Sequence, residues 1–95
     1  MDPAYPMFDL SVRLHPFNDF GQAYWLYQKL SEHRFTTVRR LNREHDDQLE
    51  IKATCADPDS LLEFLNALPE VTLVRREEAR YPSQQATIYV EISPF

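Results

Sequence analysis

The chain has 95 residues, of which 10 are lysine or arginine and 15 are aspartate or glutamate, so its formal charge is −5. This length suits one domain, predicted to span residues 1–95, and the acidic balance disfavours a nucleic-acid phosphate backbone as the main partner. The single cysteine, Cys55, excludes a disulfide within the chain, and no segment resembles a signal peptide or a membrane span. We therefore expect a cytoplasmic protein without direct membrane insertion.

The first patterned segment predicts a strand. Residues 1–6 contain two prolines and are expected to form a leader. From Met7 to Leu14 apolar and polar residues alternate, which is typical of a strand with one buried face. The pattern therefore predicts a sheet that is apolar on one side only.

The next pattern is helical. Steps of three and four residues relate the apolar side chains of the predicted buried stripe, which are Phe20, Ala23, Tyr27 and Leu30, with Leu26 alongside. Asn18 or Asp19 is the predicted N-cap, because short polar side chains accept hydrogen bonds from free backbone amides. The first helix is expected to end near Glu32 or His33.

Two further strands are predicted from Phe35 to Asn42 and from Leu49 to Cys55, joined by a polar tip. In the second strand, a regular alternation that turns Val38 inward also turns Arg40 inward. The other register turns Phe35 and Leu41 inward together with Arg39. We therefore expect an edge strand or a β-bulge there. Cys55 falls in the apolar register of the third strand and is predicted to be buried.

The remaining elements are a leucine-rich helix and two strands. Asp57 and Pro58 predict the start of the second helix, because aspartate caps and proline fits the first turn. Its buried stripe is predicted to comprise Leu61, Leu62, Leu65 and Leu68. Strand four is expected at Val71–Arg76 and strand five at Ala86–Ser93, with a turn between them.

This order of elements predicts an α+β fold, with an antiparallel sheet and two helices on one face. Right-handed crossovers give residues 7–76 a ferredoxin-like βαββαβ sandwich with strand order 4-1-3-2. Residues 77–95 are expected to add an extra C-terminal strand as a hairpin beside strand four. The same topology brings His15–Gly21, Glu44–Asp47 and Pro69–Glu70 to one end of the domain.

Part of the chain resembles the ACT-like regulatory domains, and within them the C-terminal cytoplasmic domain of MgtC/SapB-type membrane proteins. Residues 19–23, DFGQA, open the first helix where that family commonly has an aspartate, any residue, a proline and a glycine. Residues 61–74, LLEFLNALPEVTLV, resemble its second helix and closing strand. Phe20 replaces the family's proline, and Arg34 and Phe35 replace its asparagine–isoleucine pair. The resemblance implies a non-enzymatic module that binds a small effector or another copy of itself.

The candidate ligand-binding segment leads into the first helix and comprises His15, Asn18, Asp19, Phe20 and Gly21. Gly21 is the only glycine, and a glycine beside a helix start permits a ligand to approach free amides closely. The alternative interpretation is that Gly21 relieves crowding between the helix and the sheet.

The candidate protein-binding surface comprises Tyr24, Trp25 and Gln28, which lie off the predicted buried stripe. Exposed aromatic side chains on a helix are enriched where another protein docks. Alternatively, Trp25 folds over the helix edge onto Tyr5 in the leader.

Metal binding and catalysis receive little support. His15, Asp19, His45 and Asp46 have ligand types that suit zinc, but their spacing is no motif, so solvated surface is the expectation and no metal or other cofactor is predicted. Ser11 and Ser60 are expected to have no nearby base in any recognisable arrangement, and no enzymatic activity is expected.

The arginines of strands two and four are interpreted as charges that protect sheet edges from pairing. The polar face of the sheet is expected to carry mixed charge with Tyr89 as its only aromatic, which argues against RNA recognition.

Two functions from different classes fit these observations. The first is a regulatory or binding module that binds a small effector, self-associates as a homodimer, or does both. The alternative is a small acidic inhibitor or immunity-type protein that binds one protein target through Tyr24, Trp25 and its carboxylates. A metal-dependent enzyme is a third possibility.

Overall fold

The computed structural model describes residues 7–15, 20–45, 48–78 and 85–93, and the side chains of all of these except 43–45 and 78. The elements in chain order are β1 (Phe8–Leu14), α1 (Phe20–Glu32), β2 (Thr36–His45), β3 (Gln48–Cys55), α2 (Pro58–Asn66), β4 (Val71–Glu78) and β5 (Gln85–Ile92). The predicted leader, the N-cap at Asn18 or Asp19 and Asp46–Asp47 lie outside the described residues. No helix among the described residues is long and apolar enough to span a membrane.

The five strands form one mixed sheet with the order β2-β3-β1-β5-β4. β5 lies between β1 and β4, parallel to β1, with Val12 opposite Ile88, and antiparallel to β4. The predicted hairpin of β4 and β5 is confirmed, but the all-antiparallel sheet with strand five outermost is wrong. The physical reason is composition: β5 has an unbroken apolar alternation that suits an interior strand, whereas residues 75–78 of β4 are all charged and suit an edge.

Both helices pack on the same face of this sheet, so the predicted α+β class and the single apolar face are confirmed. The largest fully buried side chains are Leu10, Leu14, Leu26, Leu30, Ile51, Leu61, Leu65, Ile88, Val12, Val90 and Cys55. Cys55 is a free thiol, as expected from its register. Neither described helix packs on the opposite face of the sheet, which is called the open face below.

Helix α1 is rotated relative to the predicted stripe. Its buried residues are Gln22, Ala23, Leu26 and Leu30, whereas Phe20 and Tyr27 are exposed. Gln22 is buried because its amide donates to the backbone carbonyl of Ser93 at 3.4 Å, beyond the end of β5. This hydrogen bond places Gln22, rather than Phe20, on the packed side of α1. The spacing of apolar residues cannot reveal such a contact.

Strand β2 is both an edge strand and bulged, which confirms both parts of the sequence expectation. Val38 pairs with Ala53 and packs against the core, while the next paired residue is Arg40, opposite Lys52. Arg39 is therefore the additional residue, and the shift lets Val38 and Leu41 both lie on the core side.

Helix α2 begins as predicted. The Asp57 side chain caps it by accepting a hydrogen bond from the amide of Ser60 at 3.2 Å, and Pro58 occupies the first turn. Leu61 and Leu65 are fully buried, while Leu62 and Leu68, also in the predicted stripe, are half-buried against the core.

Candidate functional site

A groove lined almost entirely by apolar side chains runs between α1 and the edge strand β2. We call it the apolar groove; its volume is about 530 Å³, and it is lined by Phe20, Ala23, Tyr24, Tyr27, Leu41 and Leu49. Tyr24 is 76% exposed and Phe20 is 62% exposed. Large aromatic side chains held this far in solvent mark a surface suited to contact with another molecule.

The helix and the edge strand position this groove together. Phe20, Tyr24 and Tyr27 are four and three residues apart, so they lie on one stripe of α1. Leu41 pairs with Ile51 and points to the helix side of the sheet, yet it remains exposed at the sheet edge. The aromatic stripe therefore stands beside an exposed apolar side chain at the sheet edge.

The predicted protein-binding residues divide between this groove and its surroundings. Tyr24 lines it, whereas Gln28 is exposed without being part of its lining. Trp25 is half-buried and packs against the core, with the Lys29 ammonium 6.0 Å from its ring centroid. Trp25 is therefore placed to seal the helix edge, and Phe20, Tyr27 and Leu41 take its place as exposed apolar contacts.

The predicted ligand segment is described only at its two ends. His15 is exposed and its amide donates to the Val90 carbonyl at 3.2 Å; Gly21 is exposed in the first turn of α1. Phe20 belongs to the apolar groove, and Asn18 and Asp19 lie outside the described residues. A ligand-binding role for this segment stays a prediction.

Strand pairing supports the expectation that the candidate ligand-binding segment lies near other loops at one end of the domain. Leu14 at the end of β1 pairs with Leu49 at the start of β3, and the amide of Ser93 donates to the Glu70 carbonyl at 2.9 Å. The end of β1, the start of β3 and the loop before β4 thus lie at the same end of the sheet.

A second and larger groove crosses the open face of the sheet. We call it the open-face groove; its volume is about 1030 Å³. The cationic side chains that line it are Arg13, Arg39, Arg40 and Lys52, and the anionic ones are Asp9, Glu50 and Glu77. It has the polar lining expected of the open face, but the pattern did not foresee a groove there.

Glu50 is the unusual residue of this face, because it is only 3% exposed although neither described helix packs there. Its carboxylate accepts hydrogen bonds from Ser11 Oγ and from Asn42 Nδ2, the latter at 3.3 Å. Asn42 bonds Oε1, whereas Lys52 Nζ at 3.3 Å and Arg13 Nη2 at 3.5 Å lie at Oε2, which also accepts from Ser11. Arg13 Nε donates to Ser11 Oγ at 3.1 Å. Glu50 therefore holds two cations and a hydroxyl in one network.

The protonation of Glu50 follows from this network. Burial acts to raise the pKa of Glu50, but hydrogen bonds from Ser11 and Asn42 together with the Lys52 charge outweigh burial and lower the pKa below its ordinary value. Glu50 is therefore a carboxylate at neutral pH. The alternation of side chains along β3 places Glu50 on the open face, whereas the burial of Glu50 depends on neighbours from β1 and β2.

A further polar cluster surrounds His33, at the end of the core away from the apolar groove. Nδ1 of His33 is 2.8 Å from Thr36 Oγ1, and Nε2 is 3.0 Å from Ser60 Oγ. The Thr36 hydroxyl donates to the Cys55 sulfur at 3.3 Å, so its oxygen is left to accept from Nδ1, and Nε2 accepts from Ser60.

The expectation that Ser60 has no nearby base is therefore wrong. The contact was not visible because 27 residues separate Ser60 from His33. Burial lowers the pKa of His33, opposed by the charge of Asp57, so the ring is neutral at neutral pH. Because the second ring nitrogen meets a hydroxyl rather than a carboxylate, the cluster ties α1, β2 and α2 together without the third member of a catalytic triad.

The described residues contain no group of three or more His, Cys, Asp or Glu side chains able to hold a metal ion. Of the four residues considered for zinc, Asp19, Asp46 and the side chain of His45 lie outside the described part of the chain, and His15 is exposed.

Comparison with protein-family models, with curated proteins and with solved structures finds no match to this chain.

Proposed function

We propose that this protein is a non-enzymatic binding module that pairs with a second copy of itself through the apolar groove. The observation that carries the proposal is the exposure of Phe20, Tyr24, Tyr27 and Leu41 around one apolar depression. Removing such side chains from water favours association, and tyrosine adds a polar tip that tolerates both the free and the bound state.

Charge supports a second copy as the occupant. The chain carries a formal charge of −5, so two copies repel over most of their surfaces. The only charged residues of α1 are Lys29 and Glu32, and these pair with each other at 3.5 Å. The exposed stripe of α1 is thus a surface through which two negatively charged copies meet without bringing like charges together.

The same reasoning favours contact through α1 over edge-to-edge pairing of β2. Arg39 and Arg40 are exposed on β2, and a two-fold pairing of this strand would bring them towards their counterparts. In the proposed dimer, two α1 helices pack about a two-fold axis and each Tyr24 enters the partner's groove.

The resemblance of residues 7–76 to ACT-like domains supports a non-enzymatic, self-associating module. The antiparallel order β2-β3-β1 and the two helices on one face support a ferredoxin-like origin with β5 inserted. The composition supports a cytoplasmic location.

Sedimentation velocity over a range of protein concentrations tests this proposal. The wild-type chain should sediment as a dimer, and Tyr24→Arg should be a monomer, because it places a charge in the groove. Asn66→Arg, an exposed change on α2, is the matched control and should remain dimeric. A monomeric wild type at every concentration would overturn self-association and favour the acidic inhibitor, whose target would occupy the same groove.

A further inference from the structure

The bulge in β2 has a consequence for the open-face groove. In a regular strand, successive side chains point to opposite faces. The pairing of β2 with β3 instead shifts between Val38 and Arg40, and both Arg39 and Arg40 line the open-face groove. Edge protection requires charge on the strand, but it does not require two consecutive guanidinium groups on the same side.

The two arginines of the β2 edge are not neutralised within the described part of the chain. Arg39 and Arg40 have no hydrogen-bond or ion-pair partner among the described residues, while Arg13 and Lys52 contact Glu50. Arg40 also stands directly opposite Lys52 in the β2–β3 register. Like charges opposite each other across a sheet destabilise it, and an anion bound between them would relieve that repulsion.

The opposite wall of the groove has the other sign. Glu77 on the edge strand β4 supplies a carboxylate there, although it also has Arg75 at 3.7 Å, whereas Asp9 lies on the central strand β1. Between the walls, Ser11 and Thr87 face each other on β1 and β5 and provide hydroxyl groups. The groove is therefore cationic at its β2 rim and anionic at its β4 rim, and its floor carries hydroxyl groups together with the carboxylates of Asp9 and Glu50.

We propose that the open-face groove binds a small phosphate monoester. Its phosphate lies between Arg39, Arg40 and Lys52, because guanidinium and ammonium groups together match the charge and acceptor oxygens of a phosphate dianion. Hydroxyl or amino groups of the same ligand extend over the floor towards Asp9 on β1. The acidic wall excludes a continuing phosphate backbone, so the occupant is a small molecule rather than a nucleic acid.

This site is independent of the proposed dimer, because the groove lies on the face of the sheet away from α1 and α2. Its ligand can therefore be tested in a monomeric variant such as Tyr24→Arg as well as in the wild-type chain.

Isothermal titration with glycerol 3-phosphate, with glycerol as the uncharged match, measures the binding. The wild-type chain should bind the phosphate ester but not glycerol, and added salt should weaken the binding. Arg39→Gln/Arg40→Gln should weaken it by about tenfold or more, since two charge-assisted contacts are lost. Lys29→Gln/Arg34→Gln removes the same charge away from the groove and should retain wild-type affinity.

Amide chemical shifts of the wild-type chain provide a second readout that does not rely on variants. Glycerol 3-phosphate should perturb residues 39–40, Lys52 and Ser11 before any other group. Absence of binding, an equal loss in both double variants, or shifts confined to other surfaces would overturn the site. Tighter binding of a single-stranded oligonucleotide of about 12 nucleotides would also overturn it, in favour of a nucleic-acid face.

Discussion

Nε2 of His33 lies 3.0 Å from Oγ of Ser60 and joins the end of α1 to the first turn of α2. The ring is 6% exposed and is flanked by Phe64, with the two ring centroids 5.3 Å apart. Because its other nitrogen meets Thr36 at the start of β2, the imidazole is a polar tie among three elements of an otherwise apolar core.

Mild acid should destabilise the fold through His33. Burial lowers its pKa in the folded chain, against the charge of Asp57, whereas in the unfolded chain histidine titrates at about 6.5. Below about pH 6.5 the unfolded state therefore binds more protons, and the free energy of unfolding falls until the folded pKa is passed.

Urea unfolding of the wild type and His33→Gln at several pH values between neutrality and mild acid measures this effect. The variant should lose the part of the pH dependence that belongs to His33, while His15→Gln, an exposed change, should keep the wild-type slope. Parallel pH profiles for the wild type and His33→Gln would contradict the assignment.

Glu50→Gln should destabilise the protein at neutral pH by about 1–3 kcal/mol, since a buried carboxylate that contacts Ser11 and Lys52 becomes a neutral amide. Glu91→Gln, on the same face but exposed, should change stability by less than about 0.5 kcal/mol. Chemical denaturation gives both values.

The pH dependence due to Glu50 arises because the fold stabilises its charged form, whereas that due to His33 arises because the fold disfavours its charged form. The effect of Glu50 also falls at lower pH. Its pKa is depressed, so its stabilisation is fully present above the ordinary glutamate value of about 4.3 and is lost as the pH falls through the depressed pKa. Wild type and Glu50→Gln should therefore converge in stability in acid. A difference that persists there would show that the amide disrupts packing instead.

Shortening a side chain on the buried side of α1 should lower the free energy of unfolding more than shortening one on its exposed side. Leu26→Ala should reduce the free energy of unfolding by about 2–5 kcal/mol, because Leu26 is fully buried. Phe20→Ala should cost less than about 1 kcal/mol, because Phe20 stands largely in solvent. Equal costs measured in monomeric protein would mean that α1 packs through the stripe predicted from its spacing.

An interior position of β5 predicts that Ile88→Ala costs as much stability as Ile51→Ala, about 2–5 kcal/mol, because both side chains are fully buried in neighbouring parts of one core. Leu73→Ala, on the edge strand β4 and half exposed, should cost much less. Thermal and urea unfolding provide the comparison. A small effect at Ile88 would place β5 at the edge of the sheet.

Several features followed from local patterns alone. Alternation in β1, β3 and β5 predicted the buried face on which Leu10, Ile51 and Ile88 lie. Asp57 and Pro58 predicted the cap of α2, and the conflict between Val38 and the adjacent arginines predicted the bulge. Each of these depends on residues that are close in the chain.

The candidate sites could be predicted from the sequence to a much smaller extent. Tyr24 was identified as an exposed contact, but Phe20 and Tyr27 were assigned to the buried stripe, and Glu50 was one polar residue among several on the open face. The contact of Ser60 with His33 joins positions 27 residues apart, and spacing carries no signal for it.

The amino-acid order by itself determined where strands and helices form and which face of β1, β3 and β5 is apolar, because backbone geometry repeats over two or about 3.6 residues. Only the tertiary structure decided that β5 enters the sheet beside β1, that α1 turns Tyr24 and Phe20 outward, and that Arg39 and Arg40 face Lys52. These outcomes depend on which strands become neighbours, and that choice minimises the exposed apolar area and the buried unpaired charge of the whole chain at once.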